Sequence, residues 1–238
     1  MITDLKRLDF ANIDCKSSIL VKGYPEDESI NIGCFGYYFR NDGKNVVIDT
    51  GIEDIDTANL TKSSTDDWKR ADGEMNIAQN LSRIGVHPDD IDEVYLTHSH
   101  YDHISGVCNF VNARIYMARA EYRYLCTPSN PHNRFLSDVI AFLQSKAKEG
   151  MLTLIDKEYS SCGITCRVVG GHTVGSMLVF AGDYLFAGDS IFLLESIDIG
   201  APIGFSNDEN ASLEALEICI NHKGTVLTGH ERKCICLI

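Results

Sequence analysis

The sequence predicts an α+β fold in which two β-sheets are covered by outer helices. Strand-like segments lie in both halves of the chain, at 34–40 and 45–48 in the first half and at 164–169, 177–181 and 184–187 in the second. Only a few helical patterns separate them. Strands that pair with their neighbours along the chain fit two packed sheets better than one doubly wound parallel sheet.

The chain opens with a predicted antiparallel meander. Segments 18–22, 34–40 and 45–48 have the β-branched and aromatic content of strands. Between the last two lies Asn41-Asp42-Gly43, a hairpin turn signal. The third strand ends in Asp49-Thr50-Gly51, another passage from strand to turn.

A polar stretch at 53–74 follows and contains the only tryptophan, Trp68. It has no strong periodicity, and long segments of this kind inside a domain are usually functional or mobile. We therefore predict a lid over the functional site. Trp68 is either an aromatic wall for a substrate or an anchor that ties the loop to the core.

Apolar spacing predicts the remaining elements. The helices fall at 76–84, 104–110, 121–125, 135–148 and 212–221, and further strands at 94–96, 114–117, 152–155 and 225–227. Ser212 or an upstream acidic residue caps the last helix. We predict one domain over residues 1–238, since single domains grow to roughly 250 residues before they split.

The stretch Thr97-His98-Ser99-His100-Tyr101-Asp102-His103 places three imidazoles and a carboxylate directly after a predicted buried strand. Zinc and similar divalent ions prefer these groups. Alternate side chains of an extended segment point the same way, so His98 and His100 can bind one ion. A helix that begins at Asp102 would turn that carboxylate and His103 towards a second ion. The spacing predicts a two-metal site, with a His-rich surface turn as the alternative.

Three more ligand-type residues follow glycines at strand ends, namely His172, Asp189 and His230. Glycine lets the backbone come close to an ion without a Cβ clash. Of eight histidines, only His87, His132 and His222 fall outside these motifs. The clustering favours the metal site, because several weak motifs in one order are more specific than any of them alone.

The H-x-H-x-D-H string, followed by Gly-His-Thr, Gly-Asp and Gly-His, resembles the metallo-β-lactamase superfamily over most of the chain. Within it, the full ligand set and a chain end soon after the last histidine are most similar to the N-acyl-homoserine lactonase group. The resemblance implies an αββα sandwich with the site along one edge. It implies one metal on His98, His100 and His172, a second on Asp102, His103 and His230, and Asp189 as the bridge.

The resemblance also bears on Asp49 and Phe192. An Asp-Thr-Gly at this place supports the metal site in the superfamily, so Asp49 orients a ligand; the alternative is a turn carboxylate that caps backbone amides. Homoserine lactonases typically carry a tyrosine where this chain has Phe192, and its hydroxyl contacts the lactone. Either another tyrosine replaces that donor or the substrate differs. The candidates are Tyr37, Tyr38 and Tyr101.

The predicted chemistry is hydrolysis of a lactone, ester or thioester. Two divalent ions, zinc in the first place and iron or manganese as alternatives, can share a water whose pKa falls towards neutrality, which gives a bridging hydroxide nucleophile. Asp102 is the carboxylate that accepts and returns a proton. The apolar run from Ile191 to Phe205, beginning with Ile191-Phe192-Leu193-Leu194, either lines an acyl pocket together with Trp68 or belongs to the core.

Composition narrows the partners and the compartment. The net charge of −13 and the lack of a dense Lys/Arg block argue against nucleic acid. No long apolar run follows the N-terminus, so we expect no signal peptide, no membrane partner and a cytoplasmic location. Nine cysteines then indicate reduced thiols, with the pairs Cys162/Cys166 and Cys234/Cys236 incidental. The sequence leaves open whether the protein forms a homodimer.

Other functions of the same fold are ranked by what the sequence lacks. A glyoxalase II-like thioesterase shares the seven ligands but normally adds a C-terminal helical domain. A phosphodiesterase that processes RNA would need a basic arm. An iron-dependent oxidoreductase stays open because His/Asp sites also accept iron. The non-enzymatic alternative is a ligand-binding or regulatory protein that retains the metal.

Overall fold

A computed structural model describes residues 2–62, 66–128, 130 and 133–232, which form two β-sheets. The first sheet has six strands in chain order: β1 (Ile2–Lys16), β2 (Ser29–Asn41), β3 (Lys44–Ile48), β4 (Glu93–Tyr95), β5 (Arg114–Ala118) and β6 (Leu152–Ile155). Strands β1 to β3 are antiparallel, and β3 to β6 run parallel.

The second sheet has five strands: β7 (Glu158–Ser161), β8 (Ile164–Val168), β9 (Met177–Ala181), β10 (Tyr184–Gly188) and β11 (Thr225–Thr228). Strands β7 to β10 pair antiparallel with their neighbours, while β11 joins β10 in parallel. Neighbouring strands in the sequence therefore pair locally, as the pattern of apolar segments predicted.

Eight α-helices lie in the described ranges: α1 (Ser17–Leu20), α2 (Ile55–Thr61), α3 (Ile77–Arg83), α4 (Tyr101–Ile104), α5 (Arg119–Leu125), α6 (Ser137–Lys148), α7 (Glu195–Ile199) and α8 (Glu209–Asn221). The side chain of Asp208 caps α8 by accepting a hydrogen bond from the Ala211 N–H, so the cap is the upstream acidic residue rather than Ser212. No helix in these ranges has the length and apolar character needed to cross a bilayer.

Three apolar clusters hold the layers together. Between the sheets, Phe39 of β2 stacks on Phe186 of β10 at 5.4 Å between ring centroids. Leu81 of α3 and Leu143 of α6 pack on the outer face of the first sheet, while Leu216 of α8 packs on the outer face of the second. Burial of apolar side chains on both faces of each sheet stabilises an αββα sandwich, which confirms the predicted fold class.

Several predicted elements were wrong or missing. Segment 18–22 was predicted as a strand, but it begins inside α1, where the Ser17 hydroxyl donates to the Pro25 carbonyl at 2.6 Å and tightens the turn. Strands β1 and β7 and helix α7 were not predicted. The polar stretch 53–74 contains α2, which Asp54 caps by accepting the Thr57 N–H.

The cysteines of the described ranges are unpaired. Cys162 is exposed in a turn, whereas Cys166 is buried between the sheets, and neither belongs to a group of metal-type side chains in the described part of the chain. Cys234 and Cys236 lie outside the described residues, as does His132.

Candidate metal centre

Four loops at one edge of the sandwich bring the seven predicted ligand residues together. His98 and His100 lie between β4 and α4, and α4 itself carries Asp102 and His103. His172 lies between β8 and β9. Asp189 follows β10, and His230 follows β11. Strand ends thus place residues that are far apart in sequence within reach of one another.

Their ligand atoms form two groups. In group 1, which comprises His98, His100, His172 and one oxygen of Asp189, His100 Nδ1 lies 3.1 Å from His98 Nε2 and 2.9 Å from His172 Nε2. In group 2, which comprises Asp102, His103 and His230, Asp102 Oδ2 lies 3.6 Å from His103 Nε2 and 3.7 Å from His230 Nε2.

Asp189 lies between the two groups and turns one oxygen to each. Its Oδ2 is 3.5 Å from His98 Nε2 and 3.3 Å from His172 Nε2. Its Oδ1 is 3.0 Å from Nε2 of both His103 and His230. The predicted bridging residue therefore has the geometry of a bridge.

Hydrogen bonds on the far side of the rings fix which nitrogen faces each group. The Nδ1 atoms of His103, His172 and His230 donate to Asp49 Oδ2, the Phe205 carbonyl and the Gly33 carbonyl, respectively. His98 Nδ1 donates to the Thr97 hydroxyl, whose own proton goes to Asp49. Because these acceptors keep the ring proton on Nδ1, the neutral rings turn the lone pair of Nε2 towards the cluster.

This arrangement fits a divalent cation. Asp189 Oδ1 is buried and makes no hydrogen bond despite its two close imidazole nitrogens. Lone pairs of nitrogen and oxygen would repel one another at about 3 Å unless a cation or a proton lay between them. Imidazole and carboxylate donors in such numbers are typical of zinc and related ions. The donor set and its geometry therefore indicate divalent metal binding.

The electrostatics of the cluster residues also favour a bound cation. Burial and the neighbouring His103 ring hold the pKa of His98 well below its usual range. Burial also acts to lower the pKa of His103, but the carboxylates of Asp189, Asp102 and Asp49 outweigh it and raise that pKa well above the usual value. The buried carboxylates thus attract positive charge, which a bound cation supplies in place of a proton.

Asp49 combines both roles that the sequence left open. Its Oδ1 accepts the Thr97 N–H at 2.8 Å, and its Oδ2 accepts the Thr97 hydroxyl at 2.7 Å and His103 Nδ1 at 2.8 Å. It is almost fully buried and has a φ of 56°. Asp49 therefore caps the backbone at Thr97, where the His-rich segment begins, and orients the His103 imidazole.

An apolar pocket opens over the cluster. Its walls come from the first third of the chain, with Ile13 and Cys15 on β1, Ile19 and Leu20 on α1, and Ile32 on β2. Ala58, Thr61 and Lys62 line it from α2 and the residue after it. His100 and Asp102, the two partly exposed members of the cluster, face this space. Strand β1 was not predicted, so the wall formed by Ile13 and Cys15 could not be found from the sequence.

Trp68 and Phe192 both line this pocket. The Trp68 indole stacks near His230, with ring centroids 6.2 Å apart. Its backbone is also fixed to Asn59, whose side chain accepts the Trp68 N–H at 2.6 Å, so the tryptophan is at once a wall and an anchor. The Phe192 ring contacts His172 and His230 at 5.3 and 5.4 Å between centroids.

The run 191–205 contributes less to the pocket than an acyl-binding segment would. Phe192 and Phe205 line it, but Ile191 packs in the core against the second sheet, together with Leu194 and Ile197. Ile203 packs in the apolar cluster of the first sheet, and Ile199 is exposed. Most of this run is structural.

The three tyrosines considered as substitutes for the missing hydroxyl differ in position. Tyr37 is buried between the sheets and donates to the Thr228 carbonyl at 2.6 Å. Tyr38 donates to Asn45 Oδ1, away from the cluster. Only Tyr101 of these three lines the pocket, and its hydroxyl interacts with Thr57 and Ser105.

The remaining described histidines have structural roles. His87 Nδ1 accepts the Asp89 N–H at the start of a short 3-10 turn. His222 caps the C-terminus of α8, and its Nε2 donates to the Asp183 carbonyl at 3.1 Å.

A buried His/Asp cluster at the edge of an αββα sandwich, beneath an apolar pocket, defines a candidate metal-binding protein with room for a small molecule. A family model described as the metallo-beta-lactamase superfamily matches residues 32–230, and the chain belongs to this superfamily. A probable metallo-hydrolase of Methanocaldococcus jannaschii is 32% identical over 165 residues, which are 69% of each chain. An N-acyl homoserine lactonase of a Bacillus species is 27% identical over 66% of this chain and 63% of its own.

Solved structures support the fold. The crystal structure of an N-acyl homoserine lactone hydrolase, with the product N-hexanoyl-L-homoserine bound at its catalytic metal centre, superposes with a TM-score of 0.78. The match covers 98% of this chain and 94% of that one at 18% sequence identity. The shared architecture, rather than the sequence, carries this similarity.

Proposed function

We propose that this chain is a dinuclear, zinc-dependent hydrolase that opens lactones, with a single catalytic domain. The observation that carries the proposal is the position of Asp189, whose two oxygens face two separate ligand groups. Group 1 would hold one ion through three imidazoles, and group 2 the other through two imidazoles and the Asp102 carboxylate. Zinc suits this donor set, and iron and manganese are the alternatives.

When bound, the ions supply Lewis acidity for a carbonyl oxygen and lower the pKa of a water. The chain contributes the rest. Hydrogen bonds to Nδ1 orient the rings of His103, His172 and His230, and such support raises metal affinity. The apolar walls exclude bulk water and strengthen electrostatic interactions inside the site.

Asp102 is the proposed proton carrier. It is the only carboxylate of the cluster that is partly exposed, and it lines the pocket. Its backbone is held by the Cys34 thiol, which donates to the Asp102 carbonyl at 3.0 Å. A carboxylate that faces the substrate can accept the proton of an attacking water and return it to the leaving alkoxide.

The substrate class follows from the pocket and the relatives. The walls over the cluster are aliphatic and aromatic, which suits the hydrocarbon part of an acyl compound. A Bacillus relative is an N-acyl homoserine lactonase, and we carry that substrate class over as the first hypothesis. We propose a small-molecule substrate rather than a nucleic acid, given the net charge of −13.

A thioesterase is the second candidate, and Phe192 favours it. The phenylalanine ring at this place has no group that could donate a hydrogen bond to a lactone. An acyl thioester needs less help at its leaving group, because a thiolate leaves more readily than an alkoxide.

The test is initial hydrolysis rates of the zinc-loaded protein on acyl-homoserine lactones, simple lactones and acyl-glutathione thioesters. Asp189→Ala is the negative variant, and Asp183→Ala, which removes an exposed carboxylate from the turn before β10, is its matched control. We expect lactone opening in the wild type and in Asp183→Ala but not in Asp189→Ala. Cleavage of thioesters alone would replace the lactonase by the thioesterase, and no cleavage at all would contradict both.

A further inference from the structure

Glu121 is a buried carboxylate in the first turn of α5 that the proposed chemistry does not use. Its side chain has no exposed surface. Oε1 accepts the Ser99 N–H at 2.9 Å and the Ser99 hydroxyl at 2.5 Å, and Oε2 accepts the Gly175 N–H at 2.9 Å. Both oxygens are therefore satisfied by donors from outside the helix.

These donors come from the two loops that carry the histidines of group 1. Ser99 lies between His98 and His100, and Gly175 follows His172 by three residues in the same turn. One carboxylate thus connects the chain segments of all three imidazoles of group 1. Asp49 makes the corresponding contact to group 2 through His103.

Close packing between α5 and the His172 loop sharpens this connection. A Cβ atom on Gly175 would lie 2.6 Å from the backbone nitrogen of Glu121 and 2.7 Å from its Cβ. No side chain fits there, so glycine lets the loop backbone lie directly against the helix. The Gly175 N–H then reaches the carboxylate without an intervening water.

We propose that Glu121 is the positioning residue of group 1, which sets the distance between the His98/His100 loop and the His172 loop. The 2.9 Å between His100 Nδ1 and His172 Nε2 depends on how these two loops lie relative to each other. Hydrogen bonds donated to a carboxylate are stronger than bonds between neutral groups, and these bonds hold both loops in one arrangement. The proposal rests on the metal-binding part of the proposed function.

The substitution Glu121→Gln isolates this role because it keeps the shape of the side chain. A glutamine has one acceptor oxygen and one NH₂ donor. If the NH₂ occupies the Oε1 position it meets the Ser99 N–H, and in the Oε2 position it meets the Gly175 N–H. Either way, one loop is repelled while the other stays bound.

The experiment is a titration of metal-free protein with zinc in competition with a chromophoric chelator, alongside thermal melting. The protein is expected to bind two equivalents of zinc. His172→Ala weakens the equivalent bound at group 1 and His230→Ala the one bound at group 2, so these variants assign each equivalent to its group. For Glu121→Gln we expect about a 10- to 100-fold loss of affinity in the group 1 equivalent, the range typical of groups that orient metal ligands. The group 2 equivalent keeps its wild-type affinity.

Glu93→Gln is the matched control. Glu93 is also a buried glutamate, but it pairs with Lys44 and Tyr95 on β3 and β4, away from both loops. We expect it to lower the melting temperature without changing either zinc affinity. Ser99→Ala removes only the hydroxyl donor, so we expect a smaller loss of zinc affinity at group 1. This variant replaces Glu121→Gln in the experiment if Glu121→Gln does not fold.

Wild-type affinity of both equivalents in Glu121→Gln, or in Ser99→Ala where that variant is the one read, would overturn the proposal and leave Glu121 a structural residue. Equal weakening of both equivalents would overturn it as well, since the effect would not be specific to group 1. If the wild type itself binds no zinc, the proposed function fails first, and the two failures are thereby told apart.

Discussion

Oδ2 of Asp49 lies 2.8 Å from Nδ1 of His103, and this contact determines which ring nitrogen faces group 2. The carboxylate can only accept here, so the neutral ring keeps its proton on Nδ1 and turns the lone pair of Nε2 towards group 2. The same carboxylate accepts two hydrogen bonds from Thr97, directly before His98. Asp49 therefore holds both ends of the segment from Thr97 to His103 in place.

The first prediction concerns Asp49→Asn. An asparagine at this site cannot satisfy the Thr97 N–H, the Thr97 hydroxyl and His103 Nδ1 together, so zinc affinity at group 2 should fall by about 10- to 100-fold. Competition titration measures the loss. Asp42→Asn is the matched control, because Asp42 also has positive φ (49°) but lies in the β2–β3 hairpin turn. Unchanged zinc affinity in Asp49→Asn would show that Asp49 only caps the turn.

A second prediction separates proton transfer from metal binding at Asp102. Asp102→Asn keeps an oxygen that can face group 2 but cannot take up a proton near neutral pH. We expect kcat for lactone opening to fall by about 100-fold or more, in line with general acid–base catalysis. Zinc content is measured on the same sample. A variant that retains both zinc ions and near wild-type kcat would remove Asp102 from the proton-transfer role.

A third prediction addresses the pocket through Phe205, which lines it with the ring 5.7 Å from that of His172. Phe205→Ala removes apolar surface from the acyl wall, so KM for long-chain substrates should rise by roughly tenfold, while short-chain substrates change little. Leu213→Ala is the control, since Leu213 is similarly exposed on α8 and does not line the pocket. An equal effect of Phe205→Ala on short and long chains would place the acyl group elsewhere.

The fourth prediction concerns the thiol of Cys15 in the pocket wall. Burial, followed by the nearby carboxylates, raises its pKa to about 11. The thiolate is the reactive form and appears only as the pH approaches that value, so at pH 8 only about one thiol in a thousand is ionised. Peptide mapping after iodoacetamide treatment at pH 8 should find the exposed Cys162 modified and Cys15 unmodified. Rapid alkylation of Cys15 would mean that this wall is open to solvent.

The clustering of the seven His and Asp residues could be predicted from sequence because their signal is local. His98, His100, Asp102 and His103 lie within six residues, and glycines mark the other three ligand positions. The element types around them followed from apolar spacing for the same reason. Within each of these motifs, a few neighbouring residues carry the whole pattern.

Trp68, Phe192 and Phe205 were candidate pocket residues from the sequence, but the wall on β1 could not be predicted, because β1 lacks a clean alternation. Its pairing with β2 shifts register between Thr3 and Lys6 and again between Asp9 and Ala11. A bulge of this kind reverses the side-chain alternation and hides the period-2 pattern. Glu121 was missed for another reason, since an acidic residue in the first turn of a helix has an ordinary explanation.

The central claim is that two ions joined by Asp189 carry the hydrolysis, and a zinc titration tests it most directly. Metal-free protein receives zinc in fractions of an equivalent while the opening of the best lactone or ester substrate is followed. The account predicts little activity up to one equivalent, a steep rise to a plateau at two, and no such rise in Asp189→Ala. A full rate at one equivalent, or a rate independent of zinc, would contradict it.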